Sequence, residues 1–397
     1  MTDRLYYRDP ALLDFDAEIV ATGQRDEGDY YTILDRSAFY PTSGGQMHDT
    51  GRMNDCKIVD VIEDDHGEVL HISEQPVGKP GDAVNGTVDR ERRQHNRRMH
   101  TAQHILSGAF YKLDNRTTMS VHLGEEYGAV ELNTEELSDK LLWEAEEMAN
   151  EIVDLNYPVD ILFVEGNEVD QLPLRKPPSR EGTLRIIKID DYDWSACGGT
   201  HCSSTAEIGL IKIIGTERIR GRILVKFLVG LGALDDYRKR FNATEELIRT
   251  FTCHVTDLPS KVEKLLDENK SLKKDVADLQ KELLPIRAEH LATEAINSGP
   301  IPVLAGVIDD LDVSTAGRLA TLTADKVRGV VVFCVGDKLV LTTGSDSGIH
   351  AGELMKKLVA ATGLRGGGGQ TMAQAGGAEC GSLKTYRDLV LGLVGDA

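Results

Sequence analysis

The chain has 397 residues, 41% of them hydrophobic, and a formal charge of −20. That length holds about two to four domains, each able to bury a core, while the acid excess argues against a general nucleic-acid binder, whose phosphate contacts need Lys and Arg. The longest apolar run, 329–335, is too short to span a bilayer, the start Met-Thr-Asp-Arg has no apolar signal core, and six cysteines without a close CxxC pair make no disulfide framework, so a cytoplasmic protein with reduced thiols is expected. The acid surplus would equally suit a salty cytoplasm, where the surface must stay hydrated.

Residues 1 to 88 carry short alternating stretches at 17–20, 30–34, 58–61 and 69–72, punctuated by Gly and Asp. The pattern predicts a small β-barrel. From 89 to 235, helical periodicity over 92–111 and 135–155 is mixed with strand patterns at 159–164, 184–189 and 223–229, an α+β arrangement. Two basic runs stand in it. Residues 90–98 carry five Arg against one Glu, and 207–226 carry five basic against two acidic residues. Each is either a local phosphate patch or the solvated face of a helix or hairpin.

Residues 236–295 read as helical. Val262, Leu265, Asn269, Leu272, Val276, Leu279, Leu283 and Ile286 alternate by three and four, with Asn269 at an a position and Glu268 placed to face Lys273 of a parallel partner. A homodimer through this helix is one reading; an intrachain hairpin against 237–251 is the other, since the seam is short and Pro285 lies near its end. The last stretch, 296–397, reads as a compact α/β domain, with strands at 302–307, 330–335 and 338–343 and helices at 314–326, 351–362 and 382–393. The run Gly366-Gly367-Gly368-Gly369-Gln370 brings backbone close to a ligand or is a flexible loop; spacing favours the loop. No GxxxxGK[ST] occurs, so nothing points to ATP.

Two strings carry the chemistry. In His-Thr-Ala-Gln-His at 100–104, helical spacing puts His100 and His104 on one face. In Cys-Gly-Gly-Thr-His at 197–201, Cys197 and His201 bracket two glycines whose freedom allows a tight turn. Together they form a set of zinc-preferred donors. Either all four close the shell, as in structural sites, or His201 stands beside it and one position stays open for water or substrate.

These strings, the stretch Phe39-Tyr40-Pro41-Thr42-Ser43-Gly44-Gly45-Gln46 with Asp49-Thr50-Gly51 after it, and the C-terminal Gly-rich run resemble the editing and C-terminal portions of alanyl-tRNA synthetase. More closely, the chain resembles the free-standing alanyl-tRNA editing proteins, AlaX, in their long form. The resemblance implies a Gly-rich barrel, a zinc-bearing editing domain over 89–235, a connector and a Gly-rich terminal domain. It implies Zn²⁺ as cofactor and hydrolysis of seryl, and also glycyl, esters on alanine-specific tRNA. Nothing before residue 1 matches an aminoacylation domain, so action without charging is expected.

By the same resemblance Thr118 is the hydroxyl reader, with Thr117 its rival. Gln46 belongs to the motif linked to substrate choice, Gly44 and Gly45 let backbone approach the substrate, and Arg365, with Lys356 and Lys357, is the terminal domain's tRNA contact. Cys202 is an extra thiol and Ala206 stands where the family leads one to expect Gly, which leaves the sulfur ligand open between Cys197 and Cys202. The alternatives are editing of another aminoacyl-tRNA, such as the threonyl system, and a non-catalytic zinc-stabilised tRNA-binding module.

Overall fold

In-out alternation closes the N-terminal strands on themselves. The computed structural model describes residues 1–25, 28–166, 168–177, 182–296 and 301–395. In chain order the first strands are β1 (Asp3–Arg4), β2 (Asp14–Gln24), β3 (Tyr30–Leu34), β4 (Arg36–Ser37), β5 (Gly51–Met53), β6 (Cys56–Glu63), β7 (Val69–Ser73) and β8 (Ala83–Val88). Six of them form a closed barrel in the order β2-β3-β7-β6-β5-β8, while β1 and β4 pair with each other in parallel. Along β2, Phe15, Ala17 and Ile19 are buried and their neighbours exposed; along β8, Val84 and Val88 do the same. With Leu34, Phe39, Met53, Ile58, Val61 and Val69 they fill the interior.

The barrel belongs to one of two compact units, Met1–Glu246 and Leu247–Ala397. The rest of the first unit comprises α1 (Arg90–Asp114), β9 (Thr118–Leu123), β10 (Gly128–Leu132), α2 (Asp139–Asp154), β11 (Val159–Val164), β12 (Leu184–Ile189), β13 (Asp193–Ala196), β14 (Ile211–Ile219), β15 (Arg222–Val229) and the start of α3 (Gly230–Phe251). A four-stranded sheet β14-β15-β10-β9 and a three-stranded sheet β11-β12-β13 share a core with α1 and α2, built from Met99, Leu106, Phe110, Val130, Ile187, Val225 and Phe227. Asp89 caps α1 by accepting from the Glu91 and Arg92 N–H groups. Helix α2 begins at 139 rather than at the expected 135, because Ser138 caps it by accepting from Leu141 N–H at 3.2 Å.

Part of the basic run at 90–98 is turned inward, while Arg90 stays exposed. Arg93 is 1% exposed; it pairs with the buried carboxylate of Asp49 and donates to the Pro10, Leu12 and Ala38 carbonyls. Arg92 pairs with Glu125 and Arg97 with Glu207. These cations fasten α1 to the barrel and to the 3₁₀ turn at Thr205–Ile208. Along 207–226, Lys212, Arg222 and Lys226 are paired with Glu146, Glu131 and Glu217.

The second unit contains α4 (Leu258–Ala292), β16 (Val303–Val307), α5 (Val313–Val327), β17 (Val330–Val335), β18 (Lys338–Thr343), α6 (Ala351–Thr362), β19 (Arg365–Gly368), β20 (Met372–Gly376) and α7 (Leu383–Gly395), with a sheet in the order β16-β17-β18-β20-β19. Every residue of β17 is buried, as a central strand covered on both faces requires. Leu284 and Ala288 of α4 pack with Leu319, Ala320 and Phe333. The heptad residues lie on another face: Val262, Leu265, Leu272, Val276, Leu279, Leu283 and Ile286 are 40% to 65% exposed, so the described residues of the second unit leave the seam uncovered.

Two expectations are corrected here. The glycine run is no loop. Gly366, Gly367 and Gly368 pair with Ala375, Gln374 and Ala373, and a Cβ on Gly366 would stand 2.0 Å from the Gln374 carbonyl oxygen. Glycine is required there because two backbones approach closely, not because the segment is loose. Nor are all six thiols reduced: Cys334 at the end of β17 and Cys380 form a disulfide with Cα atoms 5.5 Å apart. Its 46-residue separation is bridged only by the sheet, so sequence spacing does not reveal it.

Candidate metal centre

The site lies where α1 meets the 197–201 loop. One face of α1 carries His100, Gln103, His104 and Ser107, all buried, at intervals of three and four. The loop leaves β13 and folds back over His100. Neither Gly198 nor Gly199 has a left-handed backbone, so a tight glycine turn is not the reason for the pair. A Cβ on Gly199 would lie 2.1 Å from Cε1 of His100, and contact with that ring is what excludes a side chain.

The donor atoms of His100, His104, Cys197 and His201 all lie within 4.8 Å of one another. Cys197 Sγ is 3.3 Å from His100 Nε2 and 3.4 Å from His201 Nε2. Tetrahedral zinc, with bonds of about 2.0–2.3 Å, needs donors about 3.3–3.8 Å apart. Two of the donor separations match that spacing and all four donors lie within 4.8 Å, so the group, His201 included, could hold an ion.

Each ring is held from behind. His100 Nδ1 meets Gln46 Oε1 at 2.7 Å, His104 Nδ1 meets Asp193 Oδ2 at 3.2 Å and His201 Nδ1 meets Thr101 Oγ1 at 3.3 Å. With Nδ1 engaged, Nε2 of all three points inward, the arrangement by which metal-binding histidines are oriented. Asp193 is itself fixed by Arg175 at 2.6 Å and by the Ser195 hydroxyl at 2.9 Å.

Electrostatics suit a cation. Burial lowers the His100 pKa to about 3 and, with the neighbouring imidazoles, depresses His201, so both rings are neutral ligands at pH 7. Burial alone would raise the Cys197 thiol, but His104, the Gly199 N–H and Arg185 bring it below its ordinary value. Burial instead pushes Cys202 up to about 11, and that sulfur is not in the donor group. The open choice of sulfur falls to Cys197. Asp193, despite burial, is held far below the usual carboxylate range by His104 and Arg175.

Beside the donors opens a pocket of about 680 Å³ lined by Tyr6, Tyr40, Ser43, Gly44, Gln103 and Arg185, with His100, His104 and Cys197 in its wall. Gly44 and Gly45, with φ of +58° and +83°, make the turn between Ser43 and Gln46. Gly45 packs on β9, its carbonyl accepting from Leu123 N–H at 2.8 Å. Gln46 is fully buried, and its amide is spent on His100 and Thr200.

Thr118 is half-buried at the start of β9 and absent from the pocket's lining; its hydroxyl donates to Ser107 Oγ at 2.8 Å, which also accepts from Gln103 Nε2 at 2.8 Å. Thr117 is exposed. Arg365, Lys356 and Lys357 are exposed in the second unit, on β19 and α6. Sequence reasoning missed Gln103, Asp193, Thr101 and Arg185. Gln103 was legible as the i+3 neighbour of His100, and Asp193 as the acid four residues before Cys197.

Cys197 and His201, with β12 and β13, lie in residues 184–223, which match the family described as threonyl and alanyl tRNA synthetase second additional domain. An alanine–tRNA ligase of Methanopyrus kandleri is 32% identical over 95% of this chain and 43% of its own length, so the chain spans about two fifths of the ligases it matches. The alanyl-tRNA editing protein AlaX-L of Pyrococcus horikoshii is 30% identical over 94% of each chain. The chain belongs to this alanyl-tRNA editing protein family. The solved C-Ala domain of Aquifex aeolicus alanyl-tRNA synthetase is 21% identical, covering 26% of this chain and 98% of that one at a TM-score of 0.23.

Proposed function

We propose that the protein is a zinc-dependent hydrolase of the cytoplasm that removes serine, and glycine, wrongly esterified to alanine-specific tRNA, editing in trans without charging tRNA itself. The observation that carries the reading is the convergence of His100, His104, Cys197 and His201 on one point beside the pocket. Family membership supplies the tRNA ester as the substrate class. An alanine pocket cannot exclude glycine and excludes serine poorly, so a second site has a physical purpose.

About 680 Å³ suits an aminoacyl-adenosine end. Water adds to the ester carbonyl carbon, the bond to the ribose oxygen breaks, and that oxygen leaves with a proton; the products are the free amino acid and uncharged tRNA. The ester is labile, so orientation within the pocket supplies much of the acceleration and no dedicated base is assigned. His100, His104, Cys197 and His201 would hold zinc, which would position this wall of the pocket with all four bound and would supply a Lewis acid there with His201 standing aside.

Gln103, buttressed by Ser107 and Thr118, is the group of this chain placed to meet a serine hydroxyl. Alanine would leave it unpaired. Gln46 acts by holding His100. In the second unit, Arg365 with Lys356 and Lys357 contributes tRNA affinity: Arg365→Ala weakens tRNA binding and leaves hydrolysis at saturating tRNA unchanged. The exposed seam of α4, with Asn269 at an a position, takes a second copy of the chain, and sedimentation of the full-length protein reads that directly.

The test is a panel of Ser-tRNA, Gly-tRNA, Ala-tRNA and Thr-tRNA esters. The reading expects cleavage of seryl and glycyl esters on alanine-specific tRNA and sparing of Ala-tRNA. Cleavage of Thr-tRNA alone assigns the threonyl system, and no cleavage leaves a binding module.

A further inference from the structure

Arg185 is 8% exposed and does most of its bonding inward. Its Nε donates to the Tyr7 carbonyl at 2.9 Å, and its Nη1 donates to the Cys197 and Gly199 carbonyls at 2.7 and 3.0 Å. Its Nη2 has no hydrogen-bond partner among the described residues. The same is true of the Tyr6 hydroxyl, on a fully buried ring that packs edge-on against Tyr7 and Tyr40 at 5.0 and 5.2 Å. Both side chains line the pocket that His100, His104 and Cys197 also line. A buried donor left unpaired is costly, and two in one pocket wall beside the reacting corner need an explanation.

We infer that Arg185 Nη2 and Tyr6 Oη are substrate-binding donors, aimed at the ester carbonyl oxygen of the bound aminoacyl end and at the negative charge it gains as water adds. A cation at this position repels the α-ammonium of the substrate and so selects the orientation that turns the carbonyl oxygen inward. Donors fixed before the substrate arrives and satisfied only by it stabilise the transition state without reorganising. Arg185 is suited to this because Nε is locked onto the Tyr7 carbonyl and Nη1 onto the loop that carries Cys197, which makes the free nitrogen rigid. The inference rests on the ester-hydrolase reading above and adds the two groups that meet the developing charge.

Tyr6→Phe is the decisive variant, because it removes a hydroxyl that makes no hydrogen bond in the free protein. Its thermal midpoint should equal or exceed that of the parent, while kcat on Ser-tRNA falls about 100-fold and KM stays within about threefold. Arg185→Lys, with zinc content measured alongside because Arg185 also holds the Cys197 loop, should keep its metal and lose kcat similarly. If the parent cleaves Ser-tRNA and Tyr6→Phe cleaves it equally fast, or changes KM alone, the assignment is wrong. A Tyr6→Phe protein that melts lower at full activity marks a structural hydrogen bond through water and also overturns it. If the parent cleaves no ester, the functional reading itself fails and this inference with it.

Discussion

His100 and Gln46, 54 residues apart in the chain, are joined by a 2.7 Å hydrogen bond between the ring Nδ1 and the amide Oε1. The same oxygen accepts from Thr200 N–H at 3.0 Å, and the amide nitrogen donates to the Thr200 hydroxyl at 2.9 Å. A backbone N–H can only donate, so the amide's orientation is fixed, and with it the tautomer that turns Nε2 of His100 toward the other donors. The barrel motif thereby builds one wall of a site whose ligands lie outside the barrel.

Gln46→Ala should accordingly lower zinc affinity by about 10- to 100-fold and leave the serine-over-alanine ratio of the reloaded protein unchanged. Competition against a chromophoric chelator measures the first and paired deacylation assays the second. A collapsed ratio at unchanged affinity would instead assign Gln46 to the substrate.

Thr118→Val removes the hydroxyl that donates to Ser107, which in turn accepts from Gln103. With one hydrogen bond of about 1 kcal/mol lost from the chain that positions Gln103, discrimination of Ser-tRNA from Ala-tRNA should narrow about fivefold. Single-turnover rates on the two esters give the ratio, and an unaltered ratio removes Thr118 from the chain of readers.

Gly45→Ala meets two obstacles at once: a φ of +83° and a Cβ 2.4 Å from the Val121 carbonyl oxygen. It should destabilise the first unit by about 2 kcal/mol or more. Gly44→Ala, at φ +58° in open space, should cost only about 1 kcal/mol. Urea unfolding of the two variants compares them, and equal losses would show that contact with β9 is unimportant.

His71 sets a pH dependence inside the barrel. It is fully buried, with Nδ1 donating to the Thr32 carbonyl at 2.9 Å and Nε2 accepting from the Ser37 hydroxyl at 2.7 Å. Burial lowers its pKa from 6.5 to about 4. Between those values the unfolded chain binds a proton that the folded one refuses, so the stability is fully present above pH 6.5 and is lost as pH falls through 4. His71→Leu should flatten the stability profile by up to about 3 kcal/mol over this window, as read from unfolding midpoints at pH 7 and pH 4.5. A parallel profile for the variant would place the titration elsewhere.

The parts of this molecule that repeat locally are legible in its sequence. Alternation at 17–20, 30–34, 58–61 and 69–72, within β2, β3, β6 and β7, announced the barrel, and the i, i+4 pair His100/His104 announced one face of a site. What depended on distant backbones was not. The glycines at 366–368 read as a loop because their reason, a partner strand at Met372–Gly376, is invisible in the run itself. Arg93 read as part of a charged surface because its counterion, Asp49, sits on the barrel side. Thr118 and Gln46 read as substrate groups by resemblance, whereas the hydrogen bonds that give each a place behind the pocket wall join residues 11 and 54 positions apart.

The central claim, that the quartet of His100, His104, Cys197 and His201 holds a metal on which editing depends, is tested most directly by hydrolysis of serine esterified to alanine-specific tRNA. The measurement is made on full-length protein as purified, after exhaustive chelation, and after return of one equivalent of zinc. The account predicts that chelation removes both the bound metal and the hydrolysis, and that zinc restores both to the parent chain but not to Cys197→Ala. Undiminished hydrolysis by the metal-free protein would contradict it.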